Sequence, residues 1–192
     1  MIASKLSRLS LVLAGFLLTT TTARAADTYK ADAVHSSIVF KAKHMNTSYF
    51  WGRFNNISGS FALDEQDASQ SSLKFQVKTA SIDTGNGARD QHLKGPDFFN
   101  ATQFPTISFT SKSVTAAGND TYEVTGDLTL HGVTKPVTVK VTKTGAGKGP
   151  QGGAIAGIEA TFTIKQSDFG MTKMLAAIGD EVFVDVTVEG KK

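Results

Sequence analysis

No cysteine occurs in the 192 residues, which excludes disulfides, thiolate metal clusters, a thiol nucleophile and the N-terminal lipid anchor of bacterial lipoproteins. Histidine is scarce. His35, His44, His92 and His131 are the only four, and none stands in the H-x-H or H-E-x-x-H spacing that brings two imidazoles to one metal. His35 and His44 are separated by an odd number of positions, which sets them on opposite faces of a regular strand. A G-x-S-x-G nucleophile elbow is missing. Asp90 and His92 lie two apart, so on a helix they diverge and form no acid–base pair. Lys148 in its Gly-rich stretch is followed by Gly149 where a phosphate-binding loop needs Ser or Thr. Catalytic and metal readings are therefore both disfavoured, and a protein that is not an enzyme is expected.

Long apolar runs are also wanting. The one in "LSLVLAGFLL" covers about ten residues against the roughly 20 a spanning helix needs. It follows Lys5 and Arg8 and precedes "ARA" (residues 23–25), the pattern of an export leader over residues 1–25 with cleavage after Ala25. A periplasmic chain of residues 26–192, forming one domain, is expected. Lys5, Arg8 and Arg24 fall in the leader while all 17 acids lie beyond it, so the formal charge of +3 belongs to the leader and the remainder is balanced. No basic footprint is left for nucleic acid.

What the chain does contain is period-two alternation. Ile38, Phe40 and Ala42 share a face; so do Ile57, Gly59, Phe61 and Leu63, then Leu73, Phe75 and Val77, and then Ile107 and Phe109. The pattern continues through Tyr122, Val124, Gly126, Leu128 and Leu130, Val137 to Val141, Ile158 to Ile164, and Val182 to Val188. Thr, Ser, Lys, Gln, Asp and Glu fill most of the intervening positions, as expected of antiparallel strands with one dry and one wet face. About eight strands result. They can hide the dry face by closing into a barrel with an interior fit for one small ligand, or by stacking as two sheets. Hairpin connections are predicted at 116–120 and 131–136, and a long flexible loop at "GAGKGPQGG" (145–153).

Two segments interrupt the alternation. Over 86–95, Asn86 is a candidate N-cap, Asp90 and Lys94 stand at i,i+4, and Gly95 followed by Pro96 stops the helix. Arg89, His92 and Lys94 on this helix precede Phe98, Phe99 and Phe104. The second segment, "SDFGMTKMLAAIGDE" (167–181), carries Phe169, Met171, Met174, Leu175 and Ile178. Its adaptable side chains suit an opening for an apolar guest, or equally a satellite core under a loop.

The stretches "DAVHSSIVFKAKHM", "RDQHLKGPDFFNATQFPTISF", "GDLTLHGVTKPV" and "SDFGM" occur in this order over nearly all of residues 26–192. Together they resemble the successive motifs of the YceI-like family of periplasmic proteins. Asn100 stands where that family often has an acid, and Met171 where it often has Leu. The resemblance implies an all-β, eight-stranded, lipocalin-like barrel whose lumen holds polyisoprenoid or a similar amphiphile. It also raises an isoprenoid quinone as ligand, a membrane cytochrome of the b561 type as partner, and a homodimer, since family members are often dimers.

On this footing the candidate interior residues are Ile38, Phe40, Phe61, Phe75, Phe109, Leu128, Phe162 and Val184. Phe98, Phe99 and Phe104 are expected at the mouth, with Arg89, His92 and Lys94 toward a polar head group, where an Arg fork suits phosphate. His44, His131, Phe169 and Met171, from the other matched stretches, complete the ligand-binding set; no metal site and no resident cofactor are expected. The expected function is a carrier for a long isoprenoid or related lipid. An accessory partner of a quinone-handling cytochrome and a hydrolase are the alternatives.

Overall fold

The computed structural model describes residues 26–192, so the leader expected over residues 1–25 lies outside the described residues. The strands are β1 (Thr28–Ala31), β2 (Ser37–His44), β3 (Ser48–Phe54), β4 (Ile57–Ala62), β5 (Ser72–Lys78), β6 (Ile82–Asp83), β7 (Thr106–Gly118), β8 (Thr121–Leu130), β9 (Val133–Lys148), β10 (Ala154–Lys165) and β11 (Glu181–Lys191). Two short helices, α1 (Gly87–Lys94) and α2 (Leu175–Ile178), fall in the two segments that break the alternation.

All pairings are antiparallel, and β1 pairs with both β4 and β11, which closes the ring β1-β4-β5-β7-β8-β9-β10-β11. The remaining strands extend this ring. β2 pairs with β11 and β3, and β3 with β6, so β1–β2, β3–β4 and β5–β6 are staves interrupted at 32–36, 55–56 and 79–81. The result is an eight-staved antiparallel barrel, not a sandwich, and closure removes the free edges of the sheet.

Following the chain up and down the staves puts 45–47, the α1 segment through residue 105, 131–132 and 166–180 at one end. The turns at 63–71, 119–120 and 149–153 lie at the other. That far end is stoppered: Phe61, Val114, Tyr122, Val124 and Ala156 are buried there, and Tyr29 stacks on Phe61 at 5.5 Å between ring centroids.

Tight hairpins set the register. His131 (φ 51°) and Gly132 (φ 74°) form a two-residue turn closed by Leu130 opposite Val133, and Asn119 (φ 50°) with Asp120 (φ 55°) does the same between β7 and β8. Two positive φ values in a row match the twist of the flanking strands. The expected loop at 145–153 is a correction: Gly145 to Lys148 are strand, paired with Gly157 to Ala154, and only 149–153 is loop. Ladder bonds use backbone alone, so a Gly-rich run with little to pack can still pair.

The wall has one incomplete seam. β9 and β10 pair from Val141–Ala160 toward the stoppered end, and among the described residues no ladder links 133–140 to 161–165. Pro136 sits in this stretch opposite Asp127. Counting in twos from the closing pair Leu130–Val133 makes that a non-hydrogen-bonded position, so the proline nitrogen faces the unpaired side, where a donor is not needed. Lys135, Lys140 and Lys165 are exposed along the same edges, a charge pattern that discourages pairing with another chain.

Gly59 has φ +133°, and a Cβ there would lie 2.1 Å from the Lys74 carbonyl oxygen, whereas a Cβ on Gly145 meets nothing within 4 Å. Gly59→Ala is expected to lower unfolding free energy by about 3 kcal/mol or more, because backbone strain and a clash add. Gly145→Ala should stay within about 0.5 kcal/mol of the parent. Urea denaturation of the two variants checks the contrast.

Candidate functional site

Phe75, Phe109, Phe162, Val184 and Val186 belong to the inward register yet are only partly buried. Inward side chains keep accessible surface only when they do not meet across the axis, so the barrel is hollow. The cavity together with the open solvent at its mouth makes up about 1450 Å³ of empty space. Its wall takes Phe40 and Ala42 from β2, Phe50 and Phe54 from β3, Phe75 and Val77 from β5, and Ile107 and Phe109 from β7. Leu128 and Leu130 of β8, Val137 to Val141 of β9, Ala160 to Ile164 of β10 and Val182 to Val188 of β11 complete it. Only Ser108, Glu159 and Gln166 interrupt this apolar lining. Gln166 is buried and its Nε2 donates to the Gly179 carbonyl, so its donor is already used. Such a space favours a hydrophobic guest, since each buried methylene contributes about 0.8 kcal/mol.

The mouth is built by the two interrupting segments. Asn86 caps α1, its Oδ1 accepting from the Arg89 amide at 3.0 Å, and Gly95 ends it, as the sequence predicts. The expected Asp90–Lys94 pair does not form. Asp90 Oδ1 instead accepts from the Thr84 amide (2.8 Å) and the Thr84 hydroxyl (2.5 Å), which ties the helix to the end of its own stave. Arg89 is drawn to the same residue: Nε donates to Thr84 Oγ1 and a terminal nitrogen to Thr84 O, and the guanidinium lies 5.0 Å from the Phe50 ring centroid. Leu93, Phe98 and Phe99 then descend into the cavity wall, with Phe99 edge-on to Phe54 at 5.5 Å.

Of the residues singled out from sequence, Ile38, Phe40, Phe75, Phe98, Phe99, Phe109, Leu128, Phe162, Met171, Ile178 and Val184 line the cavity together. The others sit elsewhere. Phe61 belongs to the stopper. Phe104 packs edge-on to His131 at 4.7 Å, and His131 Nδ1 lies 3.0 Å from the Phe169 carbonyl. This joins the β8–β9 turn to 166–171, where Phe169 is buried with Leu128 and Leu130. His92 is exposed, edge-on to Phe98 and 3.6 Å from Asp97; Lys94 is half-buried and His44 exposed at the end of β2. Sequence reasoning missed Phe50, Phe54 and Leu93 as lining. For β3 the signal was present as Phe50, Gly52 and Phe54, but Tyr49 and Trp51 on either side of Phe50 hid the alternation.

One group of possible metal ligands occurs among the described residues: Asp32, His35 and Glu189, on the outside of the wall where the β1–β2 stave is interrupted. Lys191 Nζ lies 2.5 Å from Asp32 Oδ2 and supplies a cation there already. The Lys191 hydrogen bond, then those from His35 and the Val34 amide, hold the Asp32 carboxyl far below the ordinary carboxylate range.

With the geometry in view, the comparisons are specific. The family model described as YceI-like domain matches residues 29–190. A UPF0312 protein of Pseudomonas aeruginosa (strain PAO1) is 43% identical over 183 residues, covering 94% of this chain and 95% of that one. Protein YceI of Salmonella newport is 40% identical over 188 residues, 97% of each. Among solved structures, Burkholderia cenocepacia BcnA superposes with a TM-score of 0.75 at 28% identity, covering 83% of this chain and 98% of that one. A polyisoprenoid binding domain from Saccharophagus degradans shares the fold with a TM-score of 0.66 at 17% identity, covering 85% and 97%.

The depressed Asp32 pKa has a signed consequence. Its contribution to stability is complete above the ordinary value of 3.8 and is lost as pH falls below it, because the unfolded state then binds the proton first. Asp32→Asn should therefore have a lower urea midpoint than the parent at neutral pH and a smaller decline between about pH 5 and pH 2. Parallel denaturation curves at both ends of that range measure the difference.

Proposed function

This chain belongs to the YceI-like domain family, and from that footing we propose that it is an exported, periplasmic carrier for a long isoprenoid or related amphiphilic lipid. It binds and does not catalyse. The observation that carries the reading is the lumen: a hollow closed at one end, open at the other and lined by aliphatic and aromatic side chains almost throughout. The polyisoprenoid binding domain of the same fold supports isoprenoid as the guest.

Magnitudes favour a lipid over a polar molecule. A dozen buried carbons at about 0.8 kcal/mol each outweigh one or two head-group hydrogen bonds of about 1 to 3 kcal/mol. Affinity then comes from the tail in the lumen and orientation from the mouth. There Lys94 and, beside Asp97, Lys173 supply cationic donors to a phosphate or hydroxyl head and His92 a further hydrogen-bonding ring nitrogen, while Arg89, held by Thr84, braces the rim.

Mass spectrometry of organic extracts from the purified protein is the direct test. An isoprenoid or related long-chain lipid should co-purify. Repeated absence of any lipid, together with failure to take up a dansyl-labelled polyprenol, defeats the reading. Ala160→Phe, which adds a ring to the lining between Ile158 and Phe162, should weaken uptake of that polyprenol about tenfold or more while leaving the barrel folded. Equilibrium fluorescence titration reports the first and a melting curve the second.

A further inference from the structure

Outward positions on the barrel are mostly Thr, Ser, Lys, Asp or Glu; Val39 and Ile155 are single exceptions, and a cluster of rings near the mouth is a larger one. On the outer face of β3 and β11, Tyr49 and Trp51 are 46% and 53% exposed, and Phe183 lies beside them. Lys41 of β2 stands among the three rings, its Nζ 5.2 Å from the Tyr49 centroid, 5.5 Å from Trp51 and 5.0 Å from Phe183. Tyr49 meets Phe183 edge-on at 6.0 Å. At the adjoining loop tips Met45 and Met174 are also exposed, and the two loops are joined by the Met45 amide donating to the Ala177 carbonyl at 2.5 Å. The fold does not call for this patch, because the same strands are anchored by their inner faces.

We propose that this band is a docking surface for a lipid bilayer, holding the cavity mouth against the membrane from which the guest is drawn or to which it is returned. The proposal deepens the carrier reading and rests on it. Three features favour a bilayer. Trp and Tyr combine an apolar ring with a polar tip and concentrate at the water–lipid boundary, and Lys can keep its amine among phosphates while its stem lies along apolar surface. On this outer face Lys41 and Lys43 of β2 and Arg53 of β3 outnumber Glu181 and Asp185 of β11, which suits anionic head groups. The band also continues into the mouth: Tyr49 and Trp51 flank Phe50, and Phe183 stands between Val182 and Val184, all three of these intervening residues lining the cavity. A second copy of the chain fits less well, since a two-fold axis through the patch would set Lys41 against its own counterpart.

Trp51 is the single tryptophan of the chain, so its emission reports on the patch directly. Protein stripped of bound lipid is mixed with vesicles of phosphatidylethanolamine and phosphatidylglycerol in equimolar amounts. The emission should shift to the blue and be quenched more by lipids brominated near the head group than by lipids brominated at the chain end. In the double variant Tyr49→Ser with Phe183→Ser, co-sedimentation with the same vesicles should fall about tenfold or more, with the melting temperature and dansyl-polyprenol uptake retained. Unchanged Trp51 emission, undiminished sedimentation of the double variant, or a blue shift that appears with protein concentration alone each overturns the proposal, the last in favour of a second copy. Vesicle binding without lipid uptake would sustain the docking surface while the carrier reading fails. Uptake without vesicle binding would do the reverse.

Discussion

Closure of β11 onto the β1–β2 stave is the constraint on which the rest depends. One edge of β11 carries the long ladder with β10, from Ile155–Lys191 to Lys165–Glu181, and its other edge is shared between β2 and β1. Without that second edge the alternating pattern would yield an open sheet whose apolar face must find a partner layer, and a partner layer would fill the space. With it, the dry faces of eight staves confront one another across an axis too wide for their side chains to span everywhere. The cavity is therefore a consequence of curvature, with no residue type set aside to make it.

Curvature alone would leave a tube open at both ends, so the asymmetry along the axis needs its own cause. Toward the stoppered end the inward positions carry Phe61, Tyr122, Val124, Val141 and Val188, all buried. Toward the mouth the wall loses part of its hydrogen bonding at the β9–β10 seam, and Phe169 and Met171 pack against Leu128 and Leu130 beside it. The unpaired backbone groups of 133–140 can be hydrated, so the seam forfeits ladder bonds but strands no buried donor. Pro136 fits this arrangement: in a fully paired strand it would be a defect.

Much of this could be read from the sequence because a half-buried strand announces its inner face every second residue. The inward sets from Ile38 to Val188 are those that alternation picks out, and Asn86 and Gly95 bound α1 through local chemistry that needs no tertiary information. Where alternation fails, legibility fails. Tyr49-Phe50-Trp51 has aromatics on both faces, so β3 looks like an undivided apolar run, and its outer rings go unnoticed for the same reason. Gly145–Lys148 lacks large apolar side chains to alternate, although its backbone pairs. Whether Arg89 meets a head group or its own neighbour depends on Thr84 arriving at the end of the β5–β6 stave, a distance that no spacing rule encodes. Nor does alternation separate Phe61, which plugs, from Phe109, which lines; that distinction is position along the barrel axis.

Charge completes the argument about orientation. The ion pairs of the described residues, Lys112–Asp127, Lys143–Glu65, Lys192–Asp27, those on Asp97 and those joining Asp32 and Glu189 to His35 and Lys191, involve side chains outside the lumen lining. Glu159 touches the cavity region, but it is exposed and its neighbours Ile158 and Ala160 hold the inward register. Gln166, the buried polar side chain near the mouth, already donates to Gly179. A charged or strongly polar group entering the lumen would thus lose its hydration and meet no compensating partner, an exchange that costs several kcal/mol. On the carrier reading proposed above, an amphiphile would therefore sit with its chain inside and its head at the open mouth. The apolar wall that favours a hydrophobic guest would by the same physics set which end of it faces out.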